Sequence, residues 1–318
     1  MTQDTSEAMA ALTVGGTPRV LDIDLEGRVL LRTPSSPHQL LEIGRKGQPR
    51  ILTLLESDCT GRYIPGHRTI VVEHDWGAKT ARQLSLLNMV ATQIPAGLDG
   101  FHLLAHGAGI SHRLLHVHHD GVTYLAHHER RGTCGLYFRH WMTGVHPLDA
   151  AAPLDYQATT ATDGQTVFAF SPSTGRAAFY RVDSEEATPI DLDSSDTPTS
   201  ARLTPDGTRV AVTFKQADGS QVARWYGIDG PTACPQRRDV VPGCFSPDAA
   251  HMLTFDRAGR RIVMMALDGD ELFSVPCLRL GATAHAEWNI AGDMCAIDSG
   301  AVGAWRLRLA DGAVMSLW

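Results

Sequence analysis

Ser200-Ala201-Arg202-Leu203-Thr204-Pro205-Asp206-Gly207, followed by Thr208-Arg209-Val210-Ala211-Val212-Thr213, is the stretch that decides the fold. Its first half alternates polar and apolar residues and then turns at Pro-Asp-Gly. Its second half is a β-branched run. This reads as a strand, a tight turn and a second strand.

The phrase recurs. Copies begin at Val20-Leu21-Asp22-Ile23-Asp24-Leu25-Glu26-Gly27, at the shorter Gly61-Arg62-Tyr63-Ile64-Pro65-Gly66, and at Leu114 through Gly121. Others run over Gln157–Gly164, Pro242–Ala249 and His285–Gly292. From the fourth copy on the turns repeat at about 43 residues, the period of a four-stranded propeller blade. The Asp-Gly and Gly-rich turns between them suit two-residue hairpins, which need positive φ. The expectation is an all-β chain, a single-domain seven-bladed β-propeller of four-stranded antiparallel blades. A loose arm covers residues 1–17. The blades fall at about 18–56, 60–97, 100–150, 155–192, 196–238, 239–277 and 280–318. Lys79–Met89 has some helical character, but the repeat register makes it a strand.

The phrases Thr204-Pro205-Asp206-Gly207-Thr208-Arg209-Val210-Ala211 and Phe245-Ser246-Pro247-Asp248 resemble the TolB-like and prolyl oligopeptidase propeller repeat. Ile70-Val71-Val72-Glu73-His74-Asp75-Trp76-Gly77 with Arg82-Gln83-Leu84-Ser85-Leu86-Leu87 is similar to the second blade of acylaminoacyl-peptidase propellers. The resemblance implies a propeller over nearly the whole chain. In that family an α/β-hydrolase domain with a Gly-x-Ser-x-Gly nucleophile turn follows. The sequence carries no such motif and reaches Trp318 where that domain would begin, so peptidase activity is not expected.

Composition narrows the classes of function. With 28 basic and 35 acidic residues the net charge is −7, which disfavours nucleic acid and anionic membranes as partners. Cys59, Cys134, Cys234, Cys244, Cys277 and Cys295 contain no Cys-x-x-Cys pair. They read as reduced thiols in a cytoplasmic protein. No export signal or membrane span is expected. Phosphate-binding loops, dinucleotide fingerprints and His-Glu-x-x-His are absent from the sequence.

Strand alternation assigns the candidate site. In the innermost strands Ile23, Tyr63, Val117, Thr160, Leu203, Phe245 and Trp288 should pack between blades. The preceding residues, Asp22, Arg62, His116, Thr159, Arg202, Cys244 and Glu287, should face a central channel, with His285, Gln157 and Ser200 in a neighbouring layer. One reading of this mixed-charge column is a wet structural funnel. Another is a ligand site, in which Asp22, Arg62, His116, Arg202, His285 and Glu287 hold a small polar or anionic molecule or a peptide. A third makes His116 and Glu287 catalytic, in an acid–base or metal-assisted lyase, cyclase or isomerase. A fourth is a propeller gating substrates for a separate hydrolase or docking another protein partner. No cofactor is expected. The histidines of the third repeat (His102, His106, His112, His116, His118, His119, His127, His128 and His140) leave a divalent metal open, since His116 and His118 share a strand face.

Overall fold

The computed structural model describes residues 18–34, 38–55, 59–65, 69–76, 79–88, 110–161, 163–184, 186–192, 196–231, 240–256, 259–266, 270–276, 284–289, 291–298, 304–308 and 313–316. The arm at 1–17, His102, His106, Cys234 and Cys277 lie outside these residues.

Seven antiparallel sheets follow one another along the chain. The first contains β1 (Arg19–Ile23), β2 (Val29–Arg32), β3 (His38–Ile43) and β4 (Pro49–Leu55). The second contains β5 (Cys59–Tyr63), β6 (Thr69–Trp76) and β7 (Lys79–Asn88). The third is built from β8 (Ile110–Val117), β9 (Gly121–His128), β10 (Thr133–His140) and β11 (Gly144–Pro153). The fourth comprises β12 (Gln157–Thr160), β13 (Thr166–Phe170), β14 (Arg176–Arg181) and β15 (Ala187–Asp191). The fifth has β16 (Thr197–Leu203), β17 (Arg209–Lys215), β18 (Gln221–Gly227) and the short β19 (Gly230–Pro231). The sixth is β20 (Val240–Phe245), β21 (His251–Asp256), β22 (Arg261–Ala266) and β23 (Glu271–Pro276). The seventh is β24 (His285–Trp288), β25 (Met294–Asp298), β26 (Ala304–Arg308) and β27 (Ala313–Ser316).

Six sheets therefore have four strands. The second has three among the described residues, which departs from the expected four; its remaining stretch, 89–109, is outside them. The strand reading of Lys79–Met89 agrees with β7. A single 3₁₀ turn, Glu129–Arg131, is the helical element among the described residues.

The repeated turn is the same object each time. In five copies the fourth residue after the end of the first strand donates its N–H back to the carbonyl of the residue that follows the strand: Gly27 to Asp24, Gly164 to Ala161, Gly207 to Thr204, Ala249 to Ser246 and Gly292 to Asn289. All five donors sit at positive φ, between 56° and 76°. Glycine reaches that region without a Cβ penalty, and Ala249 alone occupies it with a side chain.

The chain divides into two compact units, Met1–His119 with Arg279–Trp318, and Asp120–Leu278. In the first, period-two alternation sends the β2 run to two faces. Val29 and Leu31 pack with Val20, Ile23, Met294 and Ala296 of the first and seventh sheets. Leu30 packs with Leu21, Cys59, Tyr63 and Ile70 of the first and second. That is why Val29-Leu30-Leu31 is apolar throughout instead of alternating: both faces of the sheet are covered. Each such side chain contributes about 1.5–3 kcal/mol on burial. In the second unit Val210, Val212 and Phe214 pack on Phe168, Phe170 and Phe179, while Ala211 turns to Trp225, Phe245 and Met252. A buried polar chain joins the third sheet to the fourth. The Tyr156 and Tyr180 hydroxyls are 2.8 Å apart, Tyr180 donates to Asp149 at 2.8 Å, and Arg176 donates to the same carboxylate oxygen at 2.8 Å.

Candidate functional site

The first strands set the site by their alternation. Ile23, Tyr63, Val117, Leu203, Phe245 and Trp288 are buried, none more than 9% exposed. Their neighbours Asp22, Arg62, His116, Thr159, Arg202, Cys244 and Glu287 are all half-buried. The odd member of the apolar column is Thr160, which is half-buried as well.

Four of the polar column and His285 meet inside the first unit. Arg62 on β5 donates from Nη2 to Oε1 of Glu287 on β24 at 2.9 Å. His285 Nε2, two residues earlier on β24, lies 2.9 Å from the same oxygen. On the other side of the guanidinium, Nη1 stands 3.8 Å from Asp22 Oδ1 on β1, near enough for Coulombic attraction but beyond a hydrogen bond. The Asp22 carboxyl is fixed by main chain: the Ile23 N–H donates to Oδ1 at 2.9 Å, and the Tyr63 N–H donates to Oδ2 at 2.8 Å. The cluster keeps an opening to solvent, with side-chain exposures of 15% for Asp22, 19% for Glu287 and 31% for Arg62.

Each group is tuned by this arrangement. Burial pushes the Asp22 carboxyl up to about 7; Arg62 opposes the shift, and the negative charge of Glu287 adds to it. Glu287 goes the other way. Burial would raise it, but Arg62 and His285 together hold it well below the usual carboxylate range. Arg62 is held charged chiefly by Glu287. Burial keeps the His116 imidazole neutral, well below its ordinary value, with His118 and Arg62 acting in the same direction. The negative charge of Glu287 acts on His116 in the opposite direction.

The rings of His116 and His118 meet edge to face, with centroids 4.7 Å apart. No group of three or more His, Cys, Asp or Glu is arranged to hold a metal among the described residues.

Arg202 lies in the second unit, where its Nε donates to the Gly243 carbonyl at 2.8 Å. Two supports of the site escaped the sequence reading. One is the pair of main-chain N–H groups that clamp Asp22. The other is Glu73, fully buried on β6, which accepts the Leu114 N–H at 2.6 Å and so pins the strand that carries His116. A lone carboxylate inside the Ile70-Val71-Val72 run was its only signal.

With this geometry in hand, comparison with solved structures identifies the fold. Hsv2p of Kluyveromyces lactis matches at 12% identity over 93% of this chain and 95% of that one, with a TM-score of 0.60. TolB of Acinetobacter baumannii matches at 16% identity over 79% of this chain and 63% of that one, with a TM-score of 0.52. A prolyl endopeptidase matches at 12% identity over all of this chain and 54% of that one, with a TM-score of 0.59. No protein-family model and no curated protein sequence matches. The chain has the β-propeller fold seen in TolB and in the propeller domains of prolyl endopeptidases. At these identities the likeness extends to fold alone.

Proposed function

We propose that the chain is a seven-bladed propeller, one blade for each sheet, that binds a small polar or anionic molecule or a peptide and has no peptidase activity. The ligand sits at the first-strand edge lining the central channel, where Asp22, Arg62, His116, His285 and Glu287 meet. One observation supports this above the others. Arg62 spends a single N–H on Glu287, and its remaining donors make no hydrogen bond among the described residues. A guanidinium has five N–H groups in a fixed fork that suits carboxylate or phosphate. Here it is held in place by an ion pair and still reaches solvent.

A thermal-shift screen of small polar metabolites against the full chain, repeated on Arg62→Ala, tests the reading. Stabilisation by at least one compound that is lost in the variant supports it. No response to any compound, or an equal response in both proteins, counts against it.

The Asp22 carboxyl favours a second reading, an acid–base enzyme of the lyase, cyclase or isomerase kind. A group titrating near 7 can donate and accept protons at neutral pH, and His116, kept neutral by burial, can accept a proton in the same cluster. Turnover abolished in Asp22→Asn and His116→Ala, with ligand binding retained, would favour this version over simple binding. Cys59, Cys134, Cys244 and Cys295 form no disulfide, which supports work in the reducing cytoplasm. No helix among the described residues is long and apolar enough to cross a membrane.

A further inference from the structure

Charge balance in the cluster narrows the ligand. Arg62 and Glu287 neutralise one another at 2.9 Å. Asp22 is clamped by two main-chain N–H groups and cannot swing away from the guanidinium. An incoming carboxylate that takes the open donors of Arg62 becomes the third acidic group around that guanidinium, while His285 is engaged by Glu287. Carboxylates crowded at a few ångströms do not all ionise, so one must carry a proton. Glu287 is the wrong choice, because it receives hydrogen bonds from both Arg62 and His285. The ligand is the wrong choice as well, because its charge is what Arg62 attracts. Asp22 remains: at 3.8 Å it has the weakest hold on the cation.

We infer that the site takes a small weak acid as its carboxylate, on Arg62, together with one proton held on Asp22. The inference rests on reading the cluster as a ligand site.

The groups facing Asp22 agree with this. From β5 it meets Arg62, and from β24 it meets Glu287 with His285 behind it. Its partner strand β2 sets apolar Leu30 opposite, and β25 carries Asp298 opposite His285. His116 on β8 stands beyond Arg62 as a neutral ring. Among the described residues the cationic side chains at the cluster already serve Glu287, so a dianion is poorly matched. An ammonium ligand would be repelled by Arg62 and would drive the proton off Asp22. Since the unliganded Asp22 already titrates at about 7, uptake of the proton comes at small cost near neutrality.

Acetate, lactate and, as contrasts, glycine and ethylammonium are the probes, titrated calorimetrically into the full chain in two cationic buffers of different ionisation enthalpy. The expected result is carboxylate binding with nearly one proton taken up at pH 8 and little at pH 6. Affinity should fall about tenfold per pH unit above 7. Arg62→Ala abolishes binding, and Asp22→Asn, which stays uncharged, binds with flat pH dependence. The proton count on the wild-type chain decides the matter even if a variant fails to fold. Carboxylate binding with no proton uptake at pH 8 overturns the inference. Binding of ethylammonium in place of carboxylates also overturns it while leaving the ligand site standing. No binding of any probe, with Arg62→Ala indistinguishable from wild type, overturns both.

Discussion

The Arg62 guanidinium donates to the Glu287 carboxylate across 225 positions of sequence, at 2.9 Å. This ion pair links a side chain on the first strand of the second sheet to one on the first strand of the seventh, and it acts on the groups on either side. Removing the anion in Glu287→Gln leaves Arg62 with Asp22 at 3.8 Å as its nearest carboxylate. The variant should lose about 1–3 kcal/mol, less than a fully buried pair would, because both side chains reach solvent. The Asp22 titration should also move down, since Glu287 is one of the forces raising it. Carboxyl ¹³C shifts followed across pH measure the second effect, and an unmoved Asp22 would show that the two carboxylates do not interact.

Asp22 makes stability depend on pH in an unusual direction. The folded chain keeps its proton up to about 7, whereas the unfolded chain releases it near 3.8. Between those values the native state binds more protons, so this residue's contribution falls as pH rises. The full penalty, on the order of 4 kcal/mol at about 1.36 kcal/mol per pKa unit, is present above 7. Glu287 acts oppositely, stabilising above its ordinary range and losing that effect only in acid. Asp22→Asn should therefore be less stable than wild type at pH 5, where it lacks the second acceptor oxygen for a main-chain N–H. At pH 8 it should equal or exceed wild type. Thermal melts at the two pH values check the crossover.

Tyr180→Phe tests the polar chain of the second unit. It strips Tyr156 of its hydroxyl partner and Asp149 of a donor, with Tyr156 and Tyr180 both almost fully buried. A loss of about 1–3 kcal/mol is expected in urea unfolding. Arg176→Ala removes a half-exposed partner of the same carboxylate and should cost under about 1 kcal/mol. Equal losses in the two variants would mean that the buried hydroxyl pair carries no special weight.

The repeated turn makes opposite predictions at two of its copies. A Cβ at Gly207 would stand 2.4 Å from the Thr166 hydroxyl, at a φ of +69°, so Gly207→Ala should cost more than the 1–2 kcal/mol of the backbone conformation alone, roughly 2–4 kcal/mol in all. Gly219 has φ +84° but nothing within 4 Å of its Cβ, and Gly219→Ala should cost only about 1–2 kcal/mol. Ala249 already bears the strain at φ 56°, so Ala249→Gly should be neutral or stabilising by up to about 1 kcal/mol. Urea unfolding of the three variants gives the ranking.

The strand–turn–strand phrase was readable because its determinants are local. Thr204-Pro205-Asp206-Gly207 closes its turn with its own atoms, Thr204 and Thr208 donating to Asp206. The alternation of the two columns was readable because a strand has a period of two, which fixes Asp22 against Ile23 and Glu287 against Trp288 whatever surrounds them. The chemistry of the column was not readable. His116 looked like the group to titrate near neutrality, yet it is held neutral, and the carboxyl of Asp22 takes that place. Desolvation and distant charges decide this, and neither is visible in one strand's sequence. Arg202 had the same periodic signature as Arg62, but its Nε bonds to the Gly243 carbonyl, a contact that only the folded second unit reveals. The Tyr156–Tyr180–Asp149 chain joins residues whose spacing carries no motif.

The first unit draws on segments from both ends of the numbering, residues up to His119 and again from Arg279 onward. A growing polypeptide that has emerged only as far as β23 already possesses its aspartate, arginine and histidine, but not the glutamate that anchors the guanidinium. On the proposed ligand-binding reading, competence to capture a ligand arrives late in synthesis, and a prematurely released or C-terminally clipped product is expected to be silent even where most of its sheets have formed.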